Sequence, residues 1–219
     1  MADGKSGLIL WGVASARTIR PHWAMHELGL DYEIRPIRTR TPDMETAEYT
    51  ALNARQKIPL LQDGDLTITE SVAIVAYLSD AYGRDDNRLV PTGARERATC
   101  MEWCLFAATE LDATSLYVLR RHDSLKHIYG EAPKANEAAI AYFHKQMRSV
   151  ERALADGRPY ITGDRFTAAD IVLATTLTWA GRYGVTVSDT ALAYETRANA
   201  RPAFATATAS NNPPIVAAR

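Results

Sequence analysis

Apolar residues fall in short runs through the first third of this chain and at helical spacing through the rest. Leu8-Ile9-Leu10-Trp11 is an apolar run of strand length, and it leads into a small-residue loop from Gly12 to Ala16. Ile19 to Leu28 then follows helical spacing. Pro21 falls in the first turn, where its missing N–H is tolerated, and Gly29 supplies a stop. Tyr32, Ile34 and Ile37 predict a second strand, and residues 43–52 a short helix or an irregular segment. Leu60-Leu61 and Leu66 to Ile68 flank Asp63-Gly64, a pair of residues that favours a hairpin turn. Behind Glu70 and Ser71, the residues Val72, Val75, Leu78 and Tyr82 repeat at helical spacing. The resulting order, β-α-β-α-β-β-α, is that of a mixed sheet covered by helices on both faces.

Residues 84–93 are polar and contain Pro91 and Gly93, which marks them as a linker between a domain at 1–83 and a second at 94–219. Past that point the pattern is helical throughout. Met101, Cys104, Leu105, Ala108, Leu111, Ser115, Val118 and Leu119 keep a rhythm of three and four over five turns. Ile140, Phe143, Met147, Val150 and Leu154 do the same. Ile171 to Trp179 is nearly all apolar or Thr, so this helix is expected to be buried all round. Thr167-Ala168-Ala169-Asp170 precedes it as a capping box, with Asp in the place of Glu or Gln. The second domain therefore reads as an all-α bundle, ending in a Thr/Ala-rich tail, 203–209, expected to be loosely ordered.

Composition narrows the functional classes. With 219 residues the chain is long enough for a sizeable core, and its 47% apolar and 23% charged residues are ordinary for a globular protein. The net charge of −1, from 25 basic and 26 acidic residues, gives no global attraction to nucleic acid or an anionic membrane, and neither partner is expected. No apolar run approaches the ~18 residues of a membrane span. The opening residues 1–6 are polar and lack the apolar core of an export signal, so a cytoplasmic location is expected. Cys100 and Cys104, four apart on a helix, are expected as buried reduced thiols. His22 and His26 have the spacing of metal ligands, but no acidic or thiol third ligand stands near them. They are expected as surface or half-buried histidines, with no metal.

The richest segment is Gln56-Lys57-Ile58-Pro59 with Thr69-Glu70-Ser71. If the Ile58-Pro59 bond is cis, the N–H and C=O of Ile58 turn outward, free to pair with an extended peptide. The N-terminus of the helix after Glu70 has unpaired N–H groups and the positive end of a dipole, which suits a carboxylate. Ser71 adds a hydroxyl, and Glu70 can accept from an ammonium. Such a set fits a small zwitterionic peptide.

Lys57-Ile58-Pro59-Leu60-Leu61, Asp63-Gly64, Thr69-Glu70-Ser71-Val72-Ala73-Ile74 and Tyr77-Leu78 resemble the glutathione site of the cytosolic glutathione transferases. Ile161-Thr162-Gly163-Asp164, Phe166-Thr167 and Ala169-Asp170 resemble the buried capping motif of their helical domains. The resemblance covers most of the chain. It implies a thioredoxin-like N-terminal domain followed by an α-helical C-terminal bundle, with a cis bond before Pro59. It also implies that the Ile58 backbone pairs with the cysteinyl part of glutathione, and that Glu70 and Ser71 hold its γ-glutamyl end. Lys57 matches the cation that receives the glycyl carboxylate, with Arg38, Arg40 and Gln56 as helpers.

Glutathione chemistry needs a thiolate, and a free thiol with a pKa near ~8.5 is only slightly ionised at neutral pH. The loop before the first helix offers Ser15, Arg17, Thr18 and Arg20. In serine-type members of the family, such as the zeta and tau classes, the activating serine stands five residues before an arginine, as Ser15 does before Arg20. Ser15 is therefore the expected catalytic residue, with Thr18 in reserve. Ser15-Ala16-Arg17 departs from the Ser-Ser-Cys of zeta-like sequences, which counts against maleylacetoacetate isomerase activity. The expected function is attack of the thiolate on a small hydrophobic electrophile by a homodimeric enzyme with glutathione as co-substrate. The electrophile site is expected between the domains, near Trp11, Val13, Trp103, Phe106, Tyr117, Arg120 and Arg121, without firm assignment. The alternatives are a non-catalytic binding or assembly domain, or a glutathione-dependent isomerase or ether-cleaving enzyme.

Overall fold

The computed structural model describes residues 7–214, and the opening residues 1–6, read above for an export signal, lie outside the described residues. Two compact units emerge: one made of residues up to Leu89 together with those from Ala200 on, the other of Val90–Asn199. The expected linker straddles this division.

In the first unit the order is β1 (Leu8–Trp11), α1 (Ile19–Leu28), β2 (Glu33–Arg35), a 3-10 turn (Pro42–Glu45), α2 (Ala47–Leu52), β3 (Leu60–Asp63), β4 (Leu66–Thr69) and α3 (Ser71–Tyr82). The sheet runs β2-β1-β3-β4, with β1 parallel to β2 and the other pairs antiparallel. Asp63 pairs with Leu66, so the hairpin loop is Gly64-Asp65, and Gly64 takes φ +58° there, at no cost to a residue without Cβ. Trp11, Ile37, Met44, Tyr49, Ile58 and Leu60 form the core under α2. Trp11 and Val13, expected in an electrophile site, are 8% and 0% exposed and belong to the interior, with Trp11 Nε1 donating to Gln62 Oε1 at 2.7 Å.

The Thr/Ala-rich tail, expected to be loose, is a helix. It belongs to the first unit as the last helix of the chain, Pro202–Asn211, and packs along α1. Pro202 starts it without loss of a hydrogen bond, and its small side chains allow close approach. Phe204 stacks on Trp23 with ring centroids 4.6 Å apart, and Arg201 Nη2 meets the largely buried Glu27 carboxylate at 2.6 Å. With α3 also against it, α1 is buried over nearly its whole surface. That overturns the expectation for His22, which is fully buried, while His26 is half-buried.

The second unit holds α4 (Ala94–Phe106), a π-helical stretch (Ala107–Leu116), α5 (Tyr117–His122), α6 (Lys126–Tyr129), α7 (Pro133–Leu154), α8 (Ala168–Arg182) and α9 (Asp189–Asn199). The final helix, Pro202–Asn211, is α10 in this order. The single long helix expected from Met101 to Leu119 is thus interrupted. Ser115 Oγ bonds the Glu110 carbonyl five residues back, and the buried stripe runs Cys100, Cys104, Ala107, Leu111, Ser115, Leu119, leaving Leu105 53% exposed. α8 is buried nearly all round, as its composition requires. Its capping box forms. The buried Asp170 carboxylate accepts from the Thr167 N–H at 2.8 Å and O–H at 3.0 Å, from the Ile161 N–H at 2.8 Å and from the Tyr194 O–H at 2.7 Å. No helix among the described residues is long and apolar enough to cross a membrane.

Candidate functional site

Ser15, Arg17 and Thr18 lie in the loop between β1 and α1, Ile58 packs against that loop at Gly12, and Ser71 is tied to Arg20 of α1. Gly12 comes so close to Ile58 that a Cβ on it would lie 2.6 Å from the Ile58 Cβ, and its φ of +112° suits only glycine. This approach sets the Ser15 loop against the segment before β3. The Ile58-Pro59 bond is cis. Neither the N–H nor the C=O of Ile58 has a hydrogen-bond partner among the described residues. The preceding carbonyl is clamped: Lys57 O accepts from the Tyr49 hydroxyl at 2.5 Å and from Asn53 Nδ2 at 2.7 Å. Burial raises the Tyr49 pKa above its ordinary value, which keeps that phenol a donor. The Lys57 side chain is exposed.

Glu70 is the N-cap of α3, with φ +70° and ψ 116°, a backbone conformation that side chains rarely adopt. Such strain persists only where the surroundings enforce it, and it clusters at ligand sites. The Glu70 carboxylate is 75% exposed and pairs with Arg55 at 3.2 Å, and Arg55 also reaches Thr69 Oγ1. An ion pair this exposed contributes little to stability. Ser71 is buried, and its hydroxyl accepts from Arg20 Nη1 at 3.1 Å. Arg20 is itself only 2% exposed, a cation set beneath the N-terminus of α3. Its spacing from Ser15 drew attention to it in the sequence, but nothing there showed that it would touch Ser71.

Ser15 lies in the turn leading into α1. Its Oγ accepts from the Thr18 N–H at 3.0 Å and the Arg17 N–H at 3.3 Å, and sits 2.9 Å from Thr18 Oγ1. Ser15 is half-buried, whereas Thr18, the reserve candidate, is fully buried. Three contacts from Asn211 at the end of α10 hold this turn. Ala14 N–H donates to Asn211 O at 2.6 Å, Thr18 Oγ1 donates to Asn211 Oδ1 at 2.6 Å, and Asn211 Nδ2 donates to Ser15 O at 3.3 Å. Sequence reading missed Asn211, and no motif marks it.

His22 braces the loop from inside. Its Nε2 is 3.2 Å from Gly12 O, so that nitrogen carries the proton, and Nδ1 accepts from the Tyr32 hydroxyl at 2.7 Å. Burial, opposed only in part by the bond to the Gly12 carbonyl, holds the His22 pKa down to about 4. The unfolded chain takes up this proton near ~6.5, so it binds more protons than the folded chain as pH falls toward 4. Stability is therefore full above the unfolded value and lost below it. Between pH 7 and pH 5 this one group should cost about 2 kcal/mol. Urea unfolding of His22→Gln should show a correspondingly weaker loss over that interval. An equal loss in variant and parent would refute the assignment.

A family model described as "Glutathione S-transferase, N-terminal domain" matches residues 6–80, and one described as "Glutathione S-transferase, C-terminal domain" matches residues 133–205. Together they span well over half of the chain. The chain belongs to the glutathione S-transferase family. Among curated members of the family, the glutathione S-transferase GstA of Escherichia coli O157:H7 is 31% identical over 169 residues, covering 75% of this chain and 78% of its own. The theta class glutathione S-transferase of Xanthomonas axonopodis pv. citri, solved with glutathione bound, superposes with a TM-score of 0.76 at 25% identity, covering 91% of this chain and 95% of that one. A glutathione transferase of Burkholderia graminis, solved with two glutathione molecules bound per subunit, gives 0.83 at 26% identity, covering 95% and 90%. The fold of this glutathione S-transferase is accordingly a thioredoxin-like domain with a helical second domain.

Proposed function

We propose that the chain is a glutathione transferase that ionises the glutathione thiol and directs it at a small hydrophobic electrophile. The observation that carries this reading is the shared location, in a family member, of a half-buried serine hydroxyl, an unpaired Ile58 backbone and a helix N-terminus flanked by Glu70 and Ser71. Each meets one part of the tripeptide. Glu70 accepts from the γ-glutamyl ammonium, exchanging Arg55 for the ligand. Ser71 Oγ already accepts from Arg20, so its own proton is available to the γ-glutamyl carboxylate, alongside the N–H groups of α3. The Ile58 N–H and C=O pair with the cysteinyl residue in the manner of a strand, and Lys57 receives the glycyl carboxylate. The sulfur then lies against the Ser15 hydroxyl. The thiol proton leaves to solvent, the thiolate forms the new C–S bond, and the electrophile releases its leaving group or takes up a proton.

Glutathione retention and conjugation of a halo-nitroarene test this reading directly. Glu70→Ala should weaken glutathione binding about ten- to a hundred-fold, the loss expected for a charge-assisted contact, with the fold intact. Unchanged affinity by calorimetry in the folded variant would remove Glu70 from the site. A chain that binds glutathione but conjugates no electrophile would instead be a binding domain.

The assembly proposed for this enzyme is a homodimer, so light scattering on the same preparation should give roughly twice the 24.1 kDa of one chain. The proposed location is the cytoplasm, checked by cell fractionation. It is supported by the two free thiols, Cys100 and Cys104, which suit a reducing compartment.

A further inference from the structure

We infer that Asn211, at the far end of the chain, is a positioning residue for thiol activation. It sets the direction in which the Ser15 hydroxyl gives its proton. This rests on the reading of Ser15 as the donor to the glutathione sulfur.

The argument follows from counting protons. Ser15 O is a carbonyl and can only accept, so the Asn211 group 3.3 Å from it must be the NH2. The amide oxygen therefore faces Thr18 Oγ1, 2.6 Å away, and Thr18 must give it its single hydroxyl proton. That proton is then unavailable to Ser15. Thr18 Oγ1 is left as an acceptor, filled by the Ser15 N–H at 3.1 Å and facing Ser15 Oγ at 2.9 Å. Ser15 Oγ in turn accepts from two backbone N–H groups, of Thr18 and Arg17. With its acceptor sites occupied, Ser15 has only a proton to offer. Hydrogen bonds in series polarise one another, so a hydroxyl that accepts twice donates more strongly. In the resting site the proton points to Thr18 Oγ1, and an arriving sulfur takes its place. All the side chains that impose this order are buried: Thr18 is 0% exposed and Asn211 6%. The Ala14 N–H bond to Asn211 O holds the same loop at a residue with φ +57°.

Without the Asn211 amide, the Thr18 proton is shared between the two oxygens of Ser15, the hydroxyl at 2.9 Å and the carbonyl at 3.1 Å, and the Ser15 proton loses its fixed direction. The anion of the bound thiol should then be less favoured, while the groups that hold the peptide are untouched. The test is the pH profile of kcat/KM and of thiolate absorbance in the glutathione complex of Asn211→Ala. The thiol pKa should rise by about one unit, so kcat/KM falls about tenfold on the acid side and meets the parent near pH 9. The KM for glutathione should stay within about twofold.

Thr18→Val keeps the side-chain shape and should shift the profile the same way. It also carries the test if Asn211→Ala does not fold. In the Thr18→Val background, Asn211→Ala should add little, because the two act through one hydroxyl. A merely structural Asn211 would lower the melting temperature and leave the profile in place, which would overturn the inference. So would fully additive shifts in the double variant. Ser15→Ala separates the two claims. If it leaves the profile unmoved, the reading of Ser15 fails and the inference with it. If it moves the profile and both Asn211→Ala and Thr18→Val do not, only the inference fails.

Discussion

Ser15→Ala should lower turnover about 10²- to 10³-fold, the loss that follows removal of one preorganised donor to a developing anion. The hydroxyl oxygen is held by two backbone N–H groups, so only its proton turns, from Thr18 Oγ1 at 2.9 Å to the sulfur. Its contact is strongest with the ionised sulfur, and its loss falls on chemistry more than on binding. Glutathione affinity should change only a few-fold, since Glu70, Ser71, Ile58 and Lys57 hold the rest of the peptide. The thiolate absorbance of the binary complex should titrate closer to the ~8.5 of a free thiol. Ser15 also caps the turn before α1, and the alanine variant should lose about 1 kcal/mol of stability for that reason. Turnover and melting temperature must therefore be measured together. A variant that melts lower but turns over within a few-fold of the parent, with an unshifted thiolate titration, would reduce Ser15 to a cap.

A second large effect should come from Asp170→Ala, and it should appear in stability. Four donors converge on the carboxylate, from Thr167 twice, Ile161 and Tyr194. Burial raises the Asp170 pKa, against the pull of these hydrogen bonds, which are what allow a carboxylate to sit there at all. Alanine strands the Ile161 and Thr167 N–H groups and the Tyr194 O–H in the interior. Each stranded donor costs about 1–3 kcal/mol, and an overall loss of about 3–5 kcal/mol is expected. That is a large part of the 5–15 kcal/mol that holds a typical domain together. Asp170→Asn should recover only part of it, since its NH2 would face another donor. Urea unfolding gives the answer, and a loss under about 1 kcal/mol in Asp170→Ala would contradict the role assigned to the carboxylate. The glutathione affinity of the folded fraction should be unchanged, because every residue proposed to contact glutathione lies in the first unit.

Local patterns were legible in the sequence wherever the physics is local. The Leu60 to Ile68 hairpin, the start of α3 at Ser71 and the Thr167–Asp170 box each depend on residues within a few positions of one another, and each appears where the pattern put it. What stayed illegible depends on distant partners. α1 carries Arg20 and His22, types that usually sit near water, yet both are buried, Arg20 against Ser71 of α3 and His22 against the Gly12 carbonyl and Tyr32. The 203–209 stretch looked loose because Ala and Thr carry little pattern, and those small side chains are what let α10 lie close on α1. Leu105 follows the buried Cys104 in α4, and an apolar pattern that holds both neighbours does not say which of them faces inward. In the candidate site, Glu70, Ser71 and Lys57 could be named from motifs. Arg20 beneath Ser71 could be suspected only from its spacing, and Asn211 not at all.

The first unit is drawn from two stretches far apart in the sequence, one up to Leu89 and one from Ala200 on. Thr18 and Asn211 are 193 positions apart, and the later residue adds the last clamp on the loop that carries Ser15. At a synthesis rate of about 5–20 residues per second, the interval between making the two is ~10–40 s. The sheet and its hairpin are complete long before then, but α1 stays without its cover and the Ser15 turn without its clamp. During translation the chain should thus pass through a stage that has its peptide-holding groups and not yet its braced serine. Full activation of the thiol should arrive only with the closing helix, and a chain deliberately ended before Asn211 should hold glutathione yet ionise its thiol poorly.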